Sequence, residues 1–179
     1  MPWQVDHDEG MRSNELLLYA YDQVQETLRA AIEGLAAEDL TRRVGSEVNT
    51  IAWLAWHLVR VQDDHVSDVA GTEQAWTAEG WHDRFGLPFP PRATGYGFSP
   101  EQVAQVRVPS SELLLDYAAA VHARSTAFLR GLSDDDLDAV VDTRWDPPVT
   151  LGVRLVSVLS DDLQHAGQAA FLRGVFTGR

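Results

Sequence analysis

The chain of 179 residues is acidic: 27 Asp and Glu residues stand against 14 Arg and no Lys, giving a formal net charge of -13. Its content of 45% hydrophobic and 23% charged residues is ordinary for one globular domain, which we expect to span residues 1–179. The charge argues against nucleic-acid binding, which relies on clustered Lys and Arg. Because Cys is absent, disulfides, thiolate metal ligands and a cysteine nucleophile are excluded.

The chain also lacks the usual signals for a membrane or for secretion. No apolar run approaches the roughly 20 residues of a membrane span. Residues 1–10 lack the basic start and apolar stretch of a signal peptide. We therefore expect a soluble, cytoplasmic protein with no membrane partner.

Four long segments of the sequence have the pattern of helices. Their apolar residues recur near a 3.6-residue period, and the first two segments end at Gly34 and Gly71, where glycine commonly follows a helix. The predicted helices cover residues 14–32, 49–70, 110–130 and 150–175. Since no stretch alternates at period two for long, the sequence predicts an all-α fold, a four-helix bundle.

The connection between the second and third predicted helices, residues 71–108, is too long and too aromatic to be a plain linker. Within it, Ser99 is followed by Pro100 and, three residues on, by Gln102. A capping residue, a proline at the first helical position and a glutamine at the third predict a short extra helix. We expect this crossover to lie across one end or one side of the bundle.

The fourth predicted helix is apolar on nearly every side, a pattern that predicts a buried helix. Its centre nevertheless carries Asp161, Asp162 and His165. A buried carboxylate must be paired, hydrogen-bonded or bound to a metal. Asp161 and His165 are four residues apart and therefore lie on one helix face. An Asp–His hydrogen bond, a solvated stripe and a metal site all fit this spacing.

On the second predicted helix, His57 is set among Trp53, Trp56 and Leu58, in a stripe that begins apolar and then turns into imidazoles and carboxylates. Metal sites in four-helix bundles are built from inward side chains on facing helices. His57, Asp161 and His165 would supply two imidazoles and one carboxylate and leave a position for water or substrate, as in a catalytic site. Zinc suits a tetrahedral version and non-haem iron an octahedral one, so these residue types leave the metal open.

Other polar residues have weaker claims to a role. His65 is a reserve ligand, an acid or base, or simply an exposed residue, and Asp64 beside it is a second candidate for proton transfer. The motif Gly95-Tyr96-Gly97 leads to Pro100 rather than to a third glycine at a helix start, so no nucleotide site is predicted. We assign no role to the remaining histidines, which are His7, His82 and His122.

Two segments carry a family resemblance. Residues 49–58 (NTIAWLAWHL) are similar to the first-ligand helix of the DinB-like superfamily, and residues 161–168 (DDLQHAGQ) resemble its H-x3-H-x-G-Q segment. This superfamily of bacterial metal-binding bundles includes the metal-binding domain of mycothiol-dependent maleylpyruvate isomerase and the bacillithiol transferases. Asp161 stands where many members have the first His of that segment; the mycothiol-dependent branch has a Glu there. The resemblance extends over nearly the whole chain.

The resemblance implies an up-down-down-up bundle, often a homodimer, with a divalent metal held between the second and fourth helices by His57, Asp161 and His165. Zinc is the first candidate, and nickel, iron and manganese are alternatives. The crossover would roof the pocket. Family members of known activity use the metal to bind and activate a low-molecular-weight thiol, since coordination favours the thiolate near neutral pH.

Three functions follow as hypotheses. The first is a metal-dependent thiol S-transferase or isomerase that acts on a small-molecule thiol and an electrophile. Mycothiol is the first candidate thiol by association, because the exclusive use of Arg suggests a GC-rich, actinobacterial genome. The second is a non-catalytic stress protein that binds a metal or a small molecule. The third is a metal-dependent hydrolase that uses the same three residues without a thiol.

Overall fold

The computed structural model describes residues 10–178, so His7 and most of the N-terminal segment discussed above lie outside it. Four long helices form a bundle, joined by shorter helices and one small β-ribbon. The helices are α1 (Ser13–Ile32), α2 (Ala37–Thr41), α3 (Ile51–Ala70), α4 (Ala75–Ala78), α5 (Trp81–Phe85), α6 (Pro100–Gln105), α7 (Ser111–Arg130) and α8 (Leu151–Thr177). A 3-10 turn at Asp135–Asp138 leads into the antiparallel strands β1 (Val140–Asp142) and β2 (Val149–Thr150).

The predicted helices are confirmed to within two residues at each end, and side-chain caps set several of these ends. The hydroxyl of Thr50 accepts a hydrogen bond from the amide of Trp53 and so starts α3. Thr150 caps α8 in the same way. At α6, Ser99 and Gln102 form the predicted capping box.

Helices α7 and α8 each pack against both α1 and α3. Helices α1 and α3 lie diagonally opposite each other in the bundle. Contacts along each pair of helices give their relative directions. For α1 with α8 the contacts are Tyr21–Leu155 and Glu33–Arg173. For α3 with α8 they are His57–Asp161 and His65–Arg154. For α1 with α7 they are Asn14–Arg130 and Asp22–His122. Helix α1 is thus parallel to α8 and antiparallel to α7, and α3 is antiparallel to α8. The expected up-down-down-up order is confirmed.

The crossover carries α4, α5 and α6 and packs along the side of the bundle formed by α3 and α7. Its aromatic residues anchor it there: the ring of Trp76 lies 5.2 Å from that of Tyr117, and Phe98 lies 6.0 Å from Trp56. This packing brings the coil before α6 against the first half of α3. The crossover therefore becomes one wall of the site described below.

The prediction that α8 is buried on all sides is wrong. One seven-residue repeat faces the core, and it includes Leu155, Val158 and Asp162. The opposite face is exposed, with Phe171 at 70% accessibility and Leu163 at 41%. The reason is that α8 packs mainly on α1 and α3, both on one side, so its outward apolar residues stay largely accessible to solvent. Every helix in that range is too short or too polar to traverse a lipid bilayer.

Candidate metal centre

The structure brings together His57, Asp161 and His165, the three residues that the sequence singled out. His57 comes from α3, and the other two come from adjacent turns of α8. One potential ligand atom of each residue lies within 4.8 Å of the other two. The Nε2 atom of His57 is 4.0 Å from Oδ2 of Asp161, and Nε2 of His165 is 3.6 Å from Oδ1. Such a group could hold a metal ion.

The ring of His57 is oriented by the crossover. Its Nδ1 lies 2.5 Å from the carbonyl oxygen of Thr94. Because a carbonyl oxygen can only accept, Nδ1 carries the proton and Nε2 keeps its lone pair, which faces Asp161. Burial lowers the pKa of His57, and the hydrogen bond to Thr94 only partly opposes this effect. His57 is therefore a neutral imidazole at pH 7, the form that binds metals.

His165 has the same arrangement on the other side of the site. Its Nδ1 lies 3.0 Å from the side-chain oxygen of Gln168, one turn further along α8. With the proton on Nδ1, the lone pair of Nε2 is also available on the side of Asp161. Trp53 stacks on His57 at 4.5 Å and meets His165 edge-on at 5.7 Å, so one indole restrains both imidazoles.

Asp161 provides the test of whether these residues fit a metal. Its Oδ2 is buried and has no hydrogen-bond partner in the described part of the chain, although it faces Nε2 of His57. An unpaired buried carboxylate oxygen is costly, and two imidazole lone pairs beside it supply no proton. A divalent cation would satisfy all three atoms at once. Two neutral nitrogens and one carboxylate suit zinc and several other transition metals.

The other two candidates lie outside this group of three. Nδ1 of His65 is 2.9 Å from Nη1 of Arg154, and since a guanidinium only donates, the proton of neutral His65 is on Nε2. Burial and the charge of Arg154 lower the pKa of His65. Asp64 accepts a hydrogen bond from Gln74 and is thereby tied to the crossover. Their proposed role in proton transfer stays a prediction.

Sequence reasoning missed the contribution of Thr94 and Gly95. The motif Gly95-Tyr96-Gly97 was considered only as a phosphate loop, yet its first glycine packs directly on the ring of His57. A backbone carbonyl leaves no trace in the sequence. The available signal in the sequence is a glycine within an aromatic segment.

A groove of about 690 Å³ adjoins the site. Gln168, the partner of His165, forms part of its wall, and most of its exposed lining is apolar. The other lining residues come from the segment before α3, from α3 and from α8, and they are Val44, Glu47, Val48, Asn49, Leu54, Gln164, Gly167, Phe171 and Leu172.

Comparisons with known proteins agree with this architecture. A family model described as the DinB superfamily matches residues 20–169. The chain is also similar to the crystal structure of a conserved protein from Enterococcus faecalis, with a TM-score of 0.88 and 29% identity over 95% of this chain and 100% of that one. No curated protein matches the chain.

Proposed function

The chain belongs to the DinB superfamily, and from this membership and the geometry of the site we propose that it is a divalent-metal-dependent thiol S-transferase or isomerase. The observation that carries the proposal is the arrangement of three atoms. The two Nε2 lone pairs of His57 and His165 face one carboxylate, and Oδ2 of Asp161 has no hydrogen-bond partner within the described part of the chain. Zinc is the first candidate metal, followed by nickel, iron and manganese.

Each residue of the site has its own role in the proposed reaction. His57, Asp161 and His165 would hold the metal, which when bound favours the thiolate form of a coordinated thiol near neutral pH. Because the chain has no Cys, the reacting sulfur would come from a small-molecule thiol, with mycothiol as the first candidate. Trp53 and the crossover would shield one side of the site from water. The adjoining apolar groove would accept the body of the electrophile.

We keep His65 and Asp64 as candidates for moving the proton of the thiol. In the observed arrangement His65 offers an N–H at Nε2, because Arg154 occupies its Nδ1 lone pair. It would therefore act first as a hydrogen-bond donor and would become a base only after the contact with Arg154 breaks. Asp64 would likewise have to leave Gln74.

Elemental analysis of protein purified without an affinity tag tests the metal site. We expect about one equivalent of metal in the native protein and a loss of that metal in His165→Ala, because ligand removal opens a site of only three protein donors. His122→Ala is the matched control, since His122 pairs with Asp22 on another face of the bundle. Less than about a tenth of an equivalent in every protein, after a metal-addition step, would refute the metal site.

A second assay tests the reaction. Metal-loaded protein is incubated with a chromogenic aryl halide and, in turn, with mycothiol, bacillithiol, glutathione or free cysteine. Thiol transfer predicts that one thiol is consumed faster than the others and that His165→Ala abolishes the difference. If no thiol accelerates the reaction but a chromogenic ester is cleaved without one, the hydrolase alternative replaces the transferase. Full metal occupancy with neither activity favours a binding protein.

We also propose that the protein is a homodimer joined through the outward face of α8. The exposed residues Val156, Leu163 and Phe171 on that face are apolar, and two chains that each carry a net charge of -13 can meet there without opposing like charges. Light scattering coupled to size exclusion should give a dimer that Phe171→Glu converts to a monomer. Tyr96→Glu, which changes an even more exposed aromatic residue on the crossover, should leave the dimer intact. A monomeric native protein would refute this proposal.

A further inference from the structure

The part of the crossover that touches His57 is held in place by a buried arginine. Arg60 lies one turn after His57 on α3 and has 0% accessibility. Its Nε donates to the carbonyl of Ala93 at 3.2 Å, and its Nη2 lies 3.5 Å from the carbonyl of Pro91. Thr94, whose carbonyl accepts the proton of His57, is the next residue. The guanidinium therefore fixes the backbone immediately before the contact with His57.

Arg60 is itself immobilised from the opposite side. Its Nη1 donates to the hydroxyl of Tyr117 at 3.3 Å and lies 3.4 Å from Oδ2 of Asp63, and its Nη2 donates to Gln74 at 2.8 Å. Buried charge-assisted hydrogen bonds of this kind resist displacement because each broken bond leaves an unpaired buried group. Residues 91–95 consequently have little freedom to move away from α3.

Gly95, the next residue after Thr94, leaves no room for a side chain beside the site. Its φ is +97°, and a Cβ added to it would lie 3.0 Å from Nδ1 of His57, 3.0 Å from Cζ3 of Trp56 and 3.1 Å from Nε1 of Trp53. Trp56 is wedged among Trp76 and other aromatic rings. Arg60 holds the backbone on one side of Gly95, and the buried Trp56 lies on the other side. A side chain at residue 95 would therefore push the imidazole of His57 out of its position.

We propose that Thr94 and Gly95 are positioning residues for the metal centre. The carbonyl of Thr94 selects the Nδ1–H form of His57, and the absence of a side chain at Gly95 lets the ring approach that carbonyl. Without this hydrogen bond, His57 could place its proton on Nε2 and lose the lone pair that faces Asp161. The inference rests on the proposed metal site but concerns an orientation that exists in the metal-free protein as well.

Gly95→Ala tests the inference, and Gly97→Ala is the matched control. Both glycines have positive φ, but a Cβ at Gly97 meets no atom within 4 Å. We expect zinc affinity, measured by competition with a chromophoric chelator, to fall about 10–100-fold in Gly95→Ala, the usual effect of losing an outer partner of a metal-binding His. Gly97→Ala should bind as the native protein does. Circular dichroism verifies that both variants are folded.

A second readout needs no metal. Long-range nitrogen–proton NMR of the histidine rings should place the proton of His57 on Nδ1 in the native protein and in Gly97→Ala, and should show a shifted or mixed form in Gly95→Ala. An unchanged His57 signal in Gly95→Ala, with native zinc affinity, would overturn the inference. If the native protein binds no metal but the ring signal changes only in Gly95→Ala, the positioning holds and the proposed function fails.

Discussion

Two buried aspartates on different sides of the bundle have opposite surroundings. Asp63 of α3 is 2% accessible and accepts hydrogen bonds from several donors, among them the amides of Ala75 and Trp76 and the hydroxyl of Tyr117. Asp162 of α8 is 0% accessible, and neither of its oxygens has a partner within the described residues. Burial, with a contribution from the charge of Asp161, raises the pKa of Asp162 well above its usual range.

The contrast separates a structural region from a functional one. Around Asp63, between α3, α7 and the crossover, every charge has a partner, and the network locks the crossover onto the bundle. Around Asp162 and its neighbour Asp161 on α8, carboxyl oxygens are buried without hydrogen-bond partners among residues 10–178. Polar groups that cost stability and receive no local compensation are typical of sites that bind something else.

The largest expected effect is on the structural side. Asp63→Ala leaves Arg60 as a buried, uncompensated charge and should lower the free energy of unfolding by about 3–5 kcal/mol in urea titrations. Asp64→Ala, the adjacent residue with one hydrogen bond to Gln74, should lose only about 1 kcal/mol. Equal losses in the two variants would show that Asp63 does not hold this region together.

On α8, replacing a buried aspartate should change the free energy of unfolding in the opposite direction. Asp162→Val replaces an unpartnered buried carboxyl by an apolar group of similar size, so the free energy of unfolding should rise by about 1–3 kcal/mol. Asp162→Asn keeps an unpartnered polar group and is the matched control, with stability close to native. Destabilisation by Asp162→Val would mean that the carboxyl has a stabilising partner after all.

A smaller effect is expected from pH. Burial lowers the pKa values of His57 and His65, so each of these two histidines binds more protons in the unfolded chain than in the folded one as the pH falls through about 6.5. The two histidines should therefore lower the free energy of unfolding of the metal-free protein as the pH falls through this range, whereas Asp162, whose pKa is raised, should act in the opposite direction. His65→Gln should reduce the slope. An identical slope in native protein and variant would contradict the lowered pKa of His65.

Much of the fold could be predicted because its signals are local. Helix periods, the Thr150 cap and the Ser99–Gln102 capping box depend on residues a few positions apart. The two-stranded β-ribbon and the short helices α2, α4 and α5 have too few residues for a period to emerge. The exposed face of α8 cannot be told from core in the sequence, because its apolar residues are of the same types as those that α1 and α3 cover.

The three central residues of the site could be predicted for the same reason. Asp161 and His165 share a helix face, and His57 is a polar residue in an apolar stripe. Their partners could not be predicted, because the carbonyl of Thr94 and the space at Gly95 are properties of the backbone of a distant segment. The sequence identifies which side chains are out of place, whereas only the fold identifies what orients them.

The central claim is that His57, Asp161 and His165 hold one divalent metal. X-ray absorption spectroscopy of protein loaded with one equivalent of zinc tests it most directly, because the spectrum reports the ligand atoms. Two imidazoles at about 2.0–2.1 Å with oxygen ligands completing the shell are predicted, and His165→Ala should show one imidazole fewer. A shell made of oxygen alone, identical in the native protein and in His165→Ala, would contradict the account.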